Sequence, residues 1–231
     1  MFKISYLLLL SIYLCTPSLS AQDIYQEARN QMVADQIERR DISHQATLHA
    51  MRQVPRHEFI PQSLQSVAYS DRPLPIGFGQ TISQPYIVAY MTALIQPKSH
   101  HKILEIGTGS GYQAAVLAEI VDSVFTIEIV KELEHSAQQR LMKLGYRNSR
   151  VRHSDGYFGW EEHAPFDAIV VTAASEFIPP PLITQLKNGG KMIIPVGSSF
   201  SVQHLVLVSK EGEKVKTKTL LPVRFVPFTR L

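Results

Sequence analysis

Ile103-Leu104-Glu105-Ile106-Gly107-Thr108-Gly109-Ser110-Gly111-Tyr112 decides the fold. A short apolar run enters three alternating glycines, and an Ala/Leu/Val-rich stretch, Tyr112 to Val121, follows. That order reads as a buried strand, a tight turn and a helix, with glycine letting the backbone turn sharply and approach a ligand closely. Turns of this kind bind dinucleotides as well as S-adenosylmethionine. Two details separate these ligands. The dinucleotide fingerprint needs a third glycine at position 112, where Tyr112 stands. Glu105, two residues before the first glycine, would repel a pyrophosphate and suits the cationic end of S-adenosylmethionine.

Outward from this loop the chain alternates strand and helix. Val124–Val130, Arg150–His153, Asp167–Thr172 and Lys191–Val196 read as further strands, with helices over Lys131–Leu144 and Pro180–Leu186. The βαβα series predicts an α/β fold of the three-layer, Rossmann-like methyltransferase type: a mostly parallel sheet covered by helices on both faces. His204–Ser209 and Val215–Phe225 are expected to add an antiparallel C-terminal edge. Before Pro97 the texture is helical. Met32, Val33 and Ile37 share a face, and Ser43 is expected to cap a helix carrying Ala46, Ala50, Met51 and Val54. Tyr69–Pro85 is too rich in proline and glycine for a regular element and reads as an ordered loop, leading into a helix over Tyr86–Ile95.

Acidic residues fall at successive strand ends. Glu128 lies 21 residues after Gly107, where a carboxylate can accept from both ribose hydroxyls. Asp155-Gly156 follows the third strand, where a carboxylate and a tight backbone can hold the adenine amino group. Each alone is more often a solvated loop carboxylate; with Glu105, in this order, they mark a cofactor crevice made by Glu105, Gly107, Gly109, Gly111, Glu128, Asp155 and Gly156.

The 231 residues, 45% hydrophobic, can bury one good core, and no linker or repeat divides them. A net charge of +3, dispersed along the chain, gives no electrostatic case for a nucleic-acid partner. Nine histidines show no metal-ligand spacing, so no metal is expected. Trp160 beside Tyr157 and Phe158 reads as core packing.

Lys3, the apolar run Ile4–Leu14 and the small residues before Ala21 read as a secretory signal over 1–20. An uncleaved anchor is the alternative, and Leu14 before Cys15 argues against a lipoprotein. Cleavage removes Lys3, taking the net charge from +3 to +2, and Cys15, the only cysteine. A thiol-free product suits an oxidising compartment. The expectation is an exported, periplasmic protein with no stable membrane association after cleavage. An internal start at Met32 would instead give a cytoplasmic form. Residues 21–231 are expected as a single domain, with a helical and substrate-loop region over 21–97 and the cofactor-binding core over 98–231.

From Met32 to Thr229 the sequence resembles the protein-L-isoaspartate O-methyltransferases. The resemblance is carried by Leu74-Pro75-Ile76-Gly77, Gly79-Gln80-Thr81-Ile82-Ser83-Gln84-Pro85, Leu104 through Tyr112, Pro165-Phe166-Asp167-Ala168-Ile169, Gly189-Gly190 and Arg224-Phe225-Val226-Pro227. The Gly-Gln-Thr-Ile-Ser-Gln-Pro run is far more specific than the glycine loop. What the resemblance implies is methyl transfer from S-adenosylmethionine to the α-carboxylate of L-isoaspartyl residues in damaged proteins and peptides, whose esters collapse to succinimides. It implies Ser83 as the active-site serine, with Thr81 and Ile82 beside it and Val226 to Thr229 near the substrate, and cofactor contacts at Thr108, Glu128, Asp155 and Gly156. Phe78 stands where the bacterial pattern often has a polar residue, and Ile129-Val130 where Arg-Ile is common. No G-x-S-x-G elbow surrounds Ser83, which excludes a serine hydrolase; a plain role as helix cap is the structural alternative. The functional alternatives are a different carboxylate substrate, or a secreted cofactor-binding protein without turnover. A monomer is expected.

Overall fold

The structure, a computed structural model, describes residues 24–198 and 200–230. The expected signal segment over 1–20, Cys15 included, lies outside the described residues. The chain enters through α1 (Gln26–Met32), which continues as a π-helical turn over Val33–Ile37 and a 3-10 turn over Glu38–Arg40. In α2 (Gln45–Gln53) the cap is His44, whose ring accepts from the Thr47 N–H at 3.3 Å. The expected cap, Ser43, sits one residue too early.

The loop expected over Tyr69–Pro85 contains a hairpin instead. Strands β1 (Leu74–Gly77) and β2 (Gln80–Ile82) pair antiparallel, with Leu74 opposite Ile82. Strands of four and three residues are too short to show an alternation in sequence. A two-stranded ribbon also leaves N–H positions outside the ladder, so Pro75 is tolerated. The tip turns through Gly77, Phe78 and Gly79, all at positive φ. Helix α3 (Pro85–Ile95) follows, with proline at its first position, where no N–H is needed.

The second part holds β3 (Lys102–Ile106), α4 (Tyr112–Ala118), β4 (Ser123–Glu128), α5 (Lys131–Lys143), β5 (Ser149–His153), β6 (Phe166–Val171), α6 (Pro180–Gln185), β7 (Leu186–Val196), β8 (Gln203–Glu211) and β9 (Lys214–Val223). Their order in one seven-stranded sheet is β5-β4-β3-β6-β7-β8-β9. Strands β5 to β7 run parallel, while β8 and β9 close the far edge antiparallel, as expected. β7 begins at Leu186, five residues before its expected start, because the pairing of β6 and β7 shifts register across Asn188-Gly189-Gly190.

Strand residues alternate between two cores. Ile103, Val124 and Val170 pack with α2, α3 and α4; Leu104, Ile127 and Ile169 pack with Leu182 of α6 and with Trp160. Both faces are covered, which is why β6 is apolar almost throughout, with Phe166, Ala168, Ile169, Val170 and Val171 fully buried. The chain leaves β3 toward β4 and β5, then returns past β3 to lay down β6. The reversal opens a crevice at the C-terminal ends of β3 and β6, the place where open α/β sheets take ligands.

Candidate active site

Backbone geometry around the glycine loop is set by contacts with β4 and β6. Gly107 and Thr108 both donate to the Ile127 carbonyl, at 2.8 and 3.2 Å. Gly107 holds φ +95, and a Cβ there would collide with the Thr172 hydroxyl, which itself donates to the Gly107 carbonyl at 2.6 Å. Only glycine fits. Gly156 is equally constrained: a Cβ would meet the Ile106 side chain, so the chain can pass close beneath the crevice.

Glu128, at the end of β4, is nearly buried and pinned by three backbone N–H groups. Gly109 donates to one oxygen at 2.7 Å; Ile129 and Val130 donate to the other, each at 2.9 Å. Because the two following residues contribute only their N–H groups to this pin, their departure from the common Arg-Ile leaves it intact. The fixed carboxylate forms one wall of the crevice with Gly107, Gly109 and Gly156. Three of its four lone pairs are thereby taken, and the one left, on the oxygen that accepts from Gly109, is open to a further donor.

Glu105 is fully buried beneath the loop. One carboxyl oxygen accepts from the Thr126 hydroxyl and the other has no partner among the described residues. Burial, reinforced by the nearby Glu128 and opposed by the Thr126 hydrogen bond, pushes its pKa up to about 8. Asp155 is placed differently from its neighbours. One oxygen caps the turn over Gly156–Phe158 by accepting from Tyr157 N–H at 3.0 Å, and the other accepts from Arg230 Nε at 2.8 Å. The Arg230 guanidinium lies over the Tyr157 ring at 3.7 Å. Gly156, not Asp155, lines the crevice.

The hairpin arches over this floor. Thr81 borders the crevice, a small cavity under the glycine loop and a wide cleft of about 520 Å³ outside them. Ser83 borders the small cavity and the cleft, whereas the buried Ile82 faces only the small cavity. Gln84 takes the capping position of α3 without a side-chain cap bond, so Ser83 is not the helix cap, and its hydroxyl has no partner among the described residues. Phe78 projects from the hairpin tip, 60% exposed, on none of these walls.

The C-terminal segment closes the other side. It is held by hydrogen bonds from Ala174 N to the Val226 carbonyl and from Phe228 N to the Ala174 carbonyl, at 2.9 and 2.8 Å, which form a single parallel bridge. Val226 lines both crevice and cleft; Thr229 lines the crevice alone. Thr172, which sequence reasoning passed over, touches all three spaces. Its signal was present, since it ends a strand beside the point where the strand order reverses. Trp160 is core, edge-on to Phe125 at 5.4 Å.

A model of the protein-L-isoaspartate(D-aspartate) O-methyltransferase family matches residues 27–231. The chain belongs to this family. Among family members it is 56% identical, over 215 residues, to the protein-L-isoaspartate O-methyltransferase of Opitutus terrae, covering 91% of this chain and 92% of that one. It is 62% identical over 180 residues to a Polaromonas relative, protein-L-isoaspartate O-methyltransferase 2, covering 78% and 85%. Two solved structures share the fold. A protein-L-isoaspartate O-methyltransferase superposes with a TM-score of 0.78 at 27% identity, over 87% of this chain and 65% of that one. A Plasmodium falciparum structure assigned to the family, in complex with S-adenosyl-L-homocysteine, gives 0.75 at 26%, over 87% and 98%.

Proposed function

We propose that this family member methylates the α-carboxylate of L-isoaspartyl residues in damaged proteins and peptides, using S-adenosylmethionine. One observation carries the reading: Ser83, whose hydroxyl has no partner among the described residues, stands between the cleft and the cavity under the glycine loop. The residues fit the cofactor. Glu128 is pre-positioned for the ribose, Gly107, Gly109 and Gly156 permit close approach, and Thr108 and Glu105 lie where its amino-acid end would sit. Gly111, at φ +88, turns the chain into α4. Bound there, S-adenosylmethionine supplies an activated methyl group.

The acceptor carboxylate is already ionised near neutral pH, so no general base is required. The chain's work is alignment. Ser83 donates a hydrogen bond that fixes the carboxylate, and Thr81 and Ile82 shape the passage from cleft to crevice. Val226 and Thr229 hold the opposite wall. Asp155 acts through the turn it caps and through Arg230. Incubation with labelled cofactor and matched peptides containing isoaspartate or aspartate tests the assignment. Labelling of the isoaspartyl peptide alone is expected; equal labelling of both, or none, refutes it.

We also propose export to the periplasm as a monomer after cleavage before Ala21. Helix α1 supports a start upstream of Met32. Arg29 is buried and donates to the Arg52 carbonyl at 2.5 Å, and Tyr25 stacks on His57 at 4.1 Å, so a chain beginning at Met32 would lose packed structure. Among the described residues no helix is long and apolar enough to cross a membrane. Mass spectrometry of the N-terminus in fractionated cells distinguishes the forms: Ala21 in the exported fraction supports export, and Met32 in the soluble cytoplasm overturns it.

A further inference from the structure

The cavity beneath the glycine loop has room for the centre of a water-sized group over about 30 Å³, enough for one small polar group. Two of its lining residues, Glu105 and Gln113, each carry a buried side-chain oxygen without a hydrogen-bond partner among the described residues. Such oxygens are costly to bury and are rare without a purpose.

The hydrogen bonds behind them fix their roles. Thr92 donates to the Val88 carbonyl at 2.8 Å, so its oxygen can only accept from Gln113 Nε2, at 2.9 Å. The Gln113 amide is thereby oriented, with its carbonyl oxygen left over. On the other side, Thr126 has one hydroxyl proton, and it goes to Glu105. The contact of 2.6 Å between the Thr126 and Thr108 hydroxyls must then run from Thr108 to Thr126 whenever Glu105 is ionised. Thr108 turns its proton inward and keeps its lone pairs for the cavity it lines. Three acceptors result: Glu105, Gln113 and Thr108.

Resting on the cofactor reading above, we propose that Gln113 and Thr126 are recognition residues for the cofactor's ammonium group, Gln113 as a direct acceptor and Thr126 as the positioning residue that sets the polarity of Thr108. An ammonium group brings three donors to three acceptors. Its charge also favours the ionised form of Glu105, which burial alone opposes.

The test titrates S-adenosylhomocysteine, and its analogue with hydrogen in place of the amino group, into wild type, Gln113→Leu, Thr126→Val and Thr126→Ser. Wild type should bind the parent at least about tenfold tighter than the analogue, from the loss of a charge-assisted hydrogen bond. Gln113→Leu and Thr126→Val should each weaken the parent by about tenfold while leaving the analogue unchanged. Thr126→Ser, which keeps the hydroxyl, should behave as wild type. Equal weakening of both ligands would mean ordinary packing and overturn the proposal, as would equal affinity of wild type for the two. If Gln113→Leu melts early, the Thr126 pair decides. Failure of wild type to bind S-adenosylhomocysteine at all would instead sink the cofactor assignment on which the proposal rests.

Discussion

Replacing Glu105 by glutamine should stabilise the empty protein while damaging its capture of cofactor. Glu105 is fully buried, and its pKa stands at about 8 against an ordinary 4.5. The folded chain therefore holds this proton more tightly than the unfolded chain does. Its linked stability is complete below about pH 4.5, falls as pH rises toward about 8, and is level above that. Each pH step inside that window costs about 1.36 kcal/mol, so the wild type forgoes about 3 kcal/mol at pH 7. Glutamine keeps an oxygen to accept from Thr126 and has nothing to ionise. Urea unfolding of both proteins between pH 5 and 8.5 should give two stability curves that diverge with rising pH, the variant above by about 3 kcal/mol at pH 7. Titration with S-adenosylhomocysteine should show the reverse ranking, because the variant's neutral amide offers an ammonium group no opposite charge. At pH 7 wild type should also release protons on binding, seen as a dependence of the calorimetric heat on buffer ionisation enthalpy, and the variant should release fewer. Parallel stability curves across the whole pH range would refute the reasoning.

Three other substitutions probe separate parts of the machine. Ser83→Ala should lower kcat by about 10- to 100-fold, the scale of a lost hydrogen bond to a charged group, with the dissociation constant of S-adenosylhomocysteine nearly unchanged; comparable losses in both would remove Ser83 from the substrate side. Gly107→Ala forces a side chain into a positive φ and against Thr172, and should cost about 1–3 kcal/mol in chemical denaturation together with most cofactor binding. Arg230→Ala unties the C-terminal segment from Asp155. The arginine side chain is 44% exposed, so stability should fall by less than about 1 kcal/mol, while stopped-flow release of S-adenosylhomocysteine speeds up severalfold.

Much of the fold was legible because its signals are local. The glycine loop between an apolar strand and an Ala-rich helix announces itself. The continuous apolar run of β6 follows from burial on both faces, and the alternation of strands and helices leaves few topologies to choose from. Glu128 could be placed on the crevice from spacing alone, since it ends the strand that follows the glycine loop and pairs parallel beside β3. Ser83, by contrast, was named by its resemblance to a family segment and not by any periodicity.

Tertiary structure decided what depends on partners distant in the chain. The hairpin at 74–82 carries too few residues per strand to be read, yet it sets Thr81 at the junction of three spaces. Asp155 has the right residue type in the right place, but Arg230, 75 residues away, takes one of its oxygens. The glycine loop with which the reading began keeps its meaning, and the structure adds what lies under it. Sequence places Glu105 at a strand end. Only folding brings Thr126 and Thr108 into one hydrogen-bonded chain with it and sets the leftover oxygen of Gln113 on the same cavity, because hydrogen-bond direction is a property of the whole network and not of any one residue.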